Sequence, residues 1–395
     1  MTCSEAEADV RQHKILFLIE SLSGGGAEKV LVTLLRHLDK SRFDVTLCCI
    51  SNAGKFLEEV PDTVHYRYLL PAASGLSAWA SFWYKIKYKL INELLPPCWV
   101  YRLFIPKGND MEVAFTEGFV TKLMAVSTNR RAKKAAWVHT DLAQNPWTQS
   151  RKIYRNLAEE KYAYSAFDRI VCVSESVAEA FRSVYSPQSP VSVLYNPVDR
   201  DEIRRLAKES CPVGWQSTDG SVIRLVSVGR LAAQKGYDRL LRICGRLRRE
   251  GYRFELCILG EGGCQKELEH LIRQEELSES VRMPGFLANP YPLVADADLF
   301  VCPSRAEGFS TAATESLILG VPVLATDCAG MRELMGECGC GIITDNNERA
   351  FYLGLKSLLE NRAQLPRMRE AARLRGNDFS LERSVQAIED TLTSC

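Results

Sequence analysis

Short apolar runs alternate with amphipathic stretches along the chain, and the alternation starts twice. The first series opens with KILFLIE (14–20), a glycine-rich turn and the helical stretch AEKVLVTLLRHL (27–38), followed by FDVTLCCI (43–50). It resumes in EVAFT, AAWVH, RIVCVS and VSVLYN. The second opens with VIRLVSVG (222–229), then helical YDRLLRICGRLRREG and FELCILG (254–260), and continues through QKELEHLI, VRMPG, DLFVCPS and VPVLAT. Runs of this length between helical patterns predict parallel sheets flanked by helices. The chain therefore reads as α/β, with two doubly wound, Rossmann-like halves facing across a deep cleft. In such folds ligands bind where strands hand over to helices, so functional residues are expected just after strands.

At 395 residues the chain exceeds what one hydrophobic core usually serves. The punctuated stretch YNPVDRDEIRRLAKESCPVGWQSTDGS lies between the two series. We place one unit at 1–195 and a second at 196–378, with a terminal helical segment (379–395) able to pack back on the first. Lys+Arg 50 against Asp+Glu 49 gives no basic excess, which argues against a nucleic-acid partner. The 14 cysteines are scattered through strands and helices rather than spaced as a disulfide framework, so they read as reduced thiols in a cytosol. Cys338 and Cys340 have no second Cys or His pair nearby to complete a zinc site. The opening MTCSEAEADVRQHK lacks the apolar run of a signal peptide, and no segment holds 18 consecutive apolar residues. The expected location is cytoplasmic.

Five loops could carry chemistry. ESLSGGGAEKVL sets Gly24, Gly25 and Gly26 between a strand and a helix, where backbone can approach an anionic ligand closely; a merely tight turn is the plainer alternative. A dinucleotide fingerprint would need glycine at Lys29, and no G-K-S/T of a P-loop occurs. His139 closes AAWVH, and its imidazole either meets a ligand oxygen or forms a local cap with Asp141. In SVGRLAAQKGYDRL, Arg230 and Lys235 sit before a helix start, a place for a diphosphate if they are not simply surface cations. In PSRAEGFSTAATESLILG, Ser310 is the expected N-cap and Gly320 the terminator, with Glu307 before the helix and Glu315 inside it. The plainer reading leaves Glu307 solvated and Glu315 on the surface. Asp296 and Asp298 form a D-x-D that leads into a buried strand, and Asp296 reads as a helix-end or turn residue rather than a metal ligand.

Residues 79–105 are basic and aromatic. On a helical projection Trp79, Phe82, Trp83, Ile86 and Leu90 share one face, with Lys85, Lys87 and Lys89 off it. This is the pattern of an interfacial membrane helix, or of an amphipathic helix packed on its own domain with snorkelling lysines.

Together these loops resemble the retaining, GT-B fold glycosyltransferases of the family 4-like, bacterial polysaccharide and glycolipid type. The resemblance rests on GGGAE, VGRLAAQKG, LGEG (259–262), the E-x7-E of EGFSTAATE and CAGMRE (328–333), and covers nearly the whole chain. It implies that Arg230 and Lys235 grip the donor diphosphate and neutralise the leaving group, with no cofactor and no metal required. Glu307 would hold donor-sugar hydroxyls and Glu315 the ribose, with backbone groups of Gly308, Phe309, Ser310 and Thr311 on the phosphates and sugar. His139 would bond the sugar near the reacting centre. Gly25 and Gly26 would lie against the donor, and Glu28 would face the acceptor. The NPVD of the connecting segment departs from the family's usual asparagine-glycine.

The implied partners are a nucleotide sugar, UDP-sugars favoured, and a glycan or lipid-linked acceptor reached by peripheral contact with the inner membrane face. Two alternatives remain at this level: a nucleotide-sugar epimerase of the same fold, and a non-catalytic donor-binding subunit. As loop residues outside the cores, Lys235 and Glu307 are expected to be dispensable for folding.

Overall fold

The computed structural model describes residues 11–73, 75–216 and 221–394. The acidic stretch 1–10 and residues 217–220 of the connecting segment lie outside the described residues.

The first sheet holds β1 (His13–Ile19), β2 (Phe43–Ser51), β3 (His65–Leu70), β4 (Met111–Ala114), β5 (Lys133–Val138), β6 (Arg169–Cys172) and β7 (Val191–Val193), in the order β3-β2-β1-β4-β5-β6-β7. The second holds β8 (Ile223–Val228), β9 (Phe254–Leu259), β10 (Val281–Gly285), β11 (Leu299–Cys302), β12 (Val323–Thr326) and β13 (Gly341–Thr344), in the order β10-β9-β8-β11-β12-β13. Every pairing is parallel. In each sheet the strand order reverses beside the first strand of the series, between β1 and β4 and between β8 and β11. Ligand crevices open at such switch points.

The apolar runs follow from this burial. β1 is central and covered on both faces, so Ile15, Leu16, Phe17, Leu18 and Ile19 are all buried and the sequence has no polar alternation there. The edge strand β3 keeps Arg67 and Tyr68 exposed. Helix α1 (Gly26–His37) starts directly from the glycine turn, with Gly25 as its N-cap, and buries Val30, Leu31, Val32, Leu34 and Leu35 against the sheet.

Beyond β7 the chain crosses to the second sheet. The helix Arg200–Leu206 packs Ile203 with Val198, Tyr291 and Ile318. The last helix, Leu381–Thr393, returns: Glu389 accepts from the Asp39 N–H and from Arg42 Nη1, both at 2.7 Å.

Two sequence expectations meet the structure here. Asp296 ends the helix Tyr291–Ala295 and pairs with Arg224 at 2.8 Å, while Asp298 accepts from the Arg224 N–H. Both lie at the strand starts, opposite the cleft. Residues 79–105 form α2 (Ala78–Lys89), a π-helical turn (Leu90–Leu94) and α3 (Pro97–Phe104). No residue of α2 is buried, so it is not a helix packed by its apolar face on its own domain. Trp79, Phe82, Trp83 and Ile86 are exposed together, whereas Leu90 opens the π turn and is half-buried.

Candidate functional site

The loop after β8 and the loop after β11 meet edge to edge. Gly236 takes a left-handed conformation (φ +69°), and a Cβ there would lie 2.0 Å from the Pro303 carbonyl oxygen. Arg239, in the helix that follows, donates to the carbonyls of Pro303 at 2.7 Å and Ser304 at 2.6 Å, fixing the second loop. Lys235 Nζ then reaches Glu307 Oε1 at 2.7 Å, and Ser304 Oγ donates to the same oxygen at 2.5 Å. Glu307 is buried rather than solvated, although it lies on a loop outside the hydrophobic core clusters. Burial works against the charge on Lys235, but the Glu307 carboxylate outweighs it and holds the ammonium above its usual range. Glu307 Oε2 has no hydrogen-bond partner among the described residues and remains open to a ligand hydroxyl.

Ser310 caps the helix Thr311–Ile318 as expected, its Oγ accepting from the Ala313 N–H. Glu315 is buried rather than on the surface, because it faces the other sheet unit. Lys29 Nζ, from the first turn of α1, lies 2.6 Å from Glu315 Oε1 and also donates to Tyr291 Oη. Gly26 abuts Thr311, where a Cβ would stand 2.9 Å from Oγ1. Phe309 packs against Tyr195 of the connecting segment, ring centroids 5.3 Å apart.

His139 sits at the end of β5, and its local partner is not Asp141, which instead caps the Ala143 and Gln144 N–H groups. The imidazole packs on Phe115, and its Nε2 lies 2.8 Å from the Phe115 carbonyl oxygen. An acceptor at that position assigns the proton to Nε2 and leaves Nδ1 as a lone pair. Burial depresses its pKa to about 4, so the ring is neutral at physiological pH. The Glu117 carboxylate accepts from the His139 N–H at 2.6 Å and the Thr140 N–H at 2.8 Å. Burial pushes Glu117 up to about 7. Gly308 comes so close that a Cβ would lie 1.9 Å from the His139 carbonyl oxygen, and Ser174 Oγ donates to the Gly308 carbonyl at 2.9 Å.

Arg230 stands exposed after β8 with no ion pair among the described residues. Across from it are Glu20 and Glu28. Burial raises both carboxyls, opposed at Glu20 by Arg151 and Arg230 and at Glu28 by backbone hydrogen bonds and Arg230. The Glu28 carboxylate curls back over Gly25, where a Cβ would meet its Oε2 at 2.3 Å, so it serves the helix start as well as facing the cleft.

Further groups bind the two units together. Lys55 pairs with Glu261 of LGEG at 2.7 Å and lies 3.7 Å from the Phe286 ring centre. Glu333 of CAGMRE accepts from the N–H groups of Glu175 and Ser176, from Ser176 Oγ and from Tyr195 Oη. Lys29, Lys55, Glu117 and Glu333 are absent from the sequence-based site because each acts on a residue distant in the chain, and Ser304, which acts on Glu307 three residues on, is absent as well. Only Lys29 gave a local signal, a cation in the first turn of a helix, where the dipole disfavours it. A hollow of about 530 Å³ between α1 and the helix Arg200–Leu206 is lined by Arg36, His37, Asp199, Asp201, Glu202 and Arg205, away from these groups. It is a crevice between helices whose polar side chains already pair, Arg36 with Glu202 and His37 with Asp199.

The family model for Glycosyltransferase Family 4 matches residues 24–202, and that for Glycosyl transferases group 1 matches residues 217–375. The chain is a GT-B glycosyltransferase. This glycosyltransferase is 28% identical over 375 residues to the N-acetylgalactosamine-N,N'-diacetylbacillosaminyl-diphospho-undecaprenol 4-alpha-N-acetylgalactosaminyltransferase of Campylobacter jejuni, covering 93% of this chain and 95% of that one. Its fold is shared with Anabaena HepE in complex with UDP and glucose (TM-score 0.72, 21% identity, 97% of this chain and 100% of that one). It is also shared with the sucrose-phosphate synthase of Thermosynechococcus elongatus (TM-score 0.73, 14% identity, 96% and 98%). In the glycosyltransferase the Lys235–Glu307 pair lies in the part matched by the group 1 model, and His139 in the part matched by the family 4 model.

Proposed function

We propose that this glycosyltransferase transfers a hexose or N-acetylhexosamine from a UDP-sugar to a glycan or lipid-linked acceptor, with retention at the anomeric carbon, in surface polysaccharide or glycolipid assembly. The observation that carries this reading is the Lys235–Glu307 pair at the carboxyl ends of β8 and β11, with Arg230, which has no ion pair among the described residues, on the same loop as Lys235. A diphosphate drawn to Arg230 and Lys235 brings the sugar over Glu307, whose free Oε2 accepts from a sugar hydroxyl. Neutral His139 contributes hydrogen bonding at the facing wall, and the Ser310–Thr311 helix start receives phosphate oxygens.

In the step itself the acceptor hydroxyl oxygen attacks the anomeric carbon on the face from which the diphosphate departs. The bond from that carbon to the β-phosphate oxygen breaks, the electron pair leaves with UDP, and a departing phosphate oxygen takes the acceptor's proton. Arg230 and Lys235 stabilise the charge that develops, the task a divalent cation performs elsewhere. Retention by this route needs no second nucleophilic carboxylate, unlike the hydrolases that work through a covalent intermediate.

The base preference draws support from HepE, seen with UDP and glucose, and the lipid-linked acceptor from the Campylobacter enzyme, which acts on a diphospho-undecaprenol. The exposed aromatic and basic α2 supplies a surface for the inner face of the cytoplasmic membrane, where such an acceptor lies. No described helix is long and apolar enough to cross a membrane.

A thermal-shift screen of UDP-, GDP- and ADP-sugars tests the donor. A sugar nucleotide at 100 times its dissociation constant stabilises the fold by about 2.7 kcal/mol. Absence of a shift with every donor sinks the reading, and full turnover of a UDP-sugar without an acceptor replaces it with an epimerase.

A further inference from the structure

We infer that Lys29 is a positioning residue for donor binding: it orients Glu315 and makes that carboxylate's geometry depend on closure of the cleft. The inference rests on the assignment of Glu315 to the donor ribose and goes beyond it. Three elements from both sheet units meet at this point. Lys29 comes from α1, Tyr291 starts the helix Tyr291–Ala295 and Glu315 lies within Thr311–Ile318. Lys29 Nζ is 2.6 Å from Glu315 Oε1, donates to Tyr291 Oη and sits 4.8 Å from the Tyr291 ring centre.

The chemistry of that arrangement is asymmetric. Lys29 occupies Oε1, while Glu315 Oε2 has no hydrogen-bond partner among the described residues. A carboxylate with one oxygen fixed by a cation presents the other in a set direction, suited to a vicinal diol. Glu315 and Lys29 both line a cavity of about 30 Å³ with Thr33, Val198, Tyr291 and Thr311, and the Glu315 side chain is only 10% exposed there. A buried carboxylate left without its cation is strongly disfavoured. Because Lys29 belongs to the other sheet unit, that compensation exists only when the two units are together. Ribose binding to Glu315 and closure therefore favour each other, and the coupling is reciprocal.

The opposite arrangement is also testable, with Lys29 competing for the ribose subsite and having to leave. UDP, or GDP or ADP where the donor screen selects them, is titrated calorimetrically into wild type, K29A, K29R, E315Q and K29A/E315Q, alongside the 2′-deoxy nucleotide. K29A is expected to weaken the nucleoside diphosphate by about tenfold, to raise the donor KM with little change in kcat, and to lose preference for the 2′-hydroxyl. K29R should restore part of the affinity, and the double variant should bind no worse than E315Q alone. K29Q serves the same comparison if K29A does not fold.

Binding by K29A as tight as wild type, or tighter, overturns the inference. If E315Q also binds normally, the ribose assignment fails and the inference falls with it. If E315Q is weakened and K29A is not, only the inference about Lys29 fails.

Discussion

Lys235 Nζ lies 2.7 Å from Glu307 Oε1, on loops that follow the neighbouring parallel strands β8 and β11. The contact is both part of the proposed diphosphate and sugar site and a buried ion pair. Removing one partner leaves the other uncompensated, so Lys235→Ala should abolish transfer and cost about 3 kcal/mol of stability. Changing both, Lys235→Met with Glu307→Gln, should restore most of the stability and none of the activity. Denaturation midpoints and single-turnover rates check this, and normal turnover by Lys235→Ala would disprove the phosphate role.

Glu117 and His139 give a pH signature. The folded pKa of Glu117 is raised from 4.5 to about 7, so its stabilising proton is fully kept below pH 4.5 and lost as pH rises through 7. For His139 the folded value is depressed from 6.5 to about 4, so its contribution is present above pH 6.5 and lost as pH falls toward 4. Between pH 4.5 and 6.5 the two oppose each other. Glu117→Gln should unmask the histidine, with stability rising across that interval by an amount on the order of 3 kcal/mol. Urea midpoints measured against pH check it; parallel profiles for wild type and variant would show that Glu117 does not titrate there.

Much of this site was legible because its residues follow strands. Arg230, Lys235, His139 and Glu307 sit at the ends of recognisable apolar runs, and the parallel topology brings such ends to one cleft. Burial was not legible. Glu307 and Glu315 look like ordinary loop and helix carboxylates in the sequence, and only their partners Lys235 and Lys29 explain how they are buried as charges. Those partners lie 72 and 286 positions away, beyond any local pattern. Lys29 itself stands out locally only as the residue that breaks a dinucleotide fingerprint and as a cation in the first turn of a helix. The exposure of α2 was equally hidden, since an amphipathic face has the same spacing whether it meets protein or solvent.

Gly308 is where the donor-side loop touches the facing wall. An alanine Cβ there would lie 1.9 Å from the backbone oxygen of His139, with no flexible side chain to yield. Gly308→Ala should leave each sheet unit folded but hold the units apart, lowering kcat/KM by ~100-fold through misplacement of the facing groups. Small-angle scattering should show a larger radius of gyration than wild type. A variant as compact and as active as wild type would mean that the loop rearranges freely and that the close approach has no functional weight.

The exposed rings of α2 form one cluster: Trp79 stacks on Phe82 at 6.1 Å, and Trp83 lies edge-on to both at 5.9 Å. Lys85 and Lys89 are exposed beside them, while Lys87 lies 5.5 Å from the Phe104 ring centre and ties α2 to α3. Aromatic rings seat at the headgroup level of a bilayer, and each nearby lysine adds about 1 kcal/mol of attraction to anionic lipid. Changing Lys85, Lys87 and Lys89 to Glu should therefore release the protein from vesicles containing phosphatidylglycerol, with smaller effects on neutral vesicles. Trp79→Ser with Trp83→Ser should weaken binding to both vesicle types, because it removes the insertion that does not depend on lipid charge. Flotation that is unaltered in the triple-glutamate variant would sink the membrane reading. Transfer to a soluble acceptor analogue should survive these changes, since α2 lies outside the groups that meet at Glu307 and Glu315.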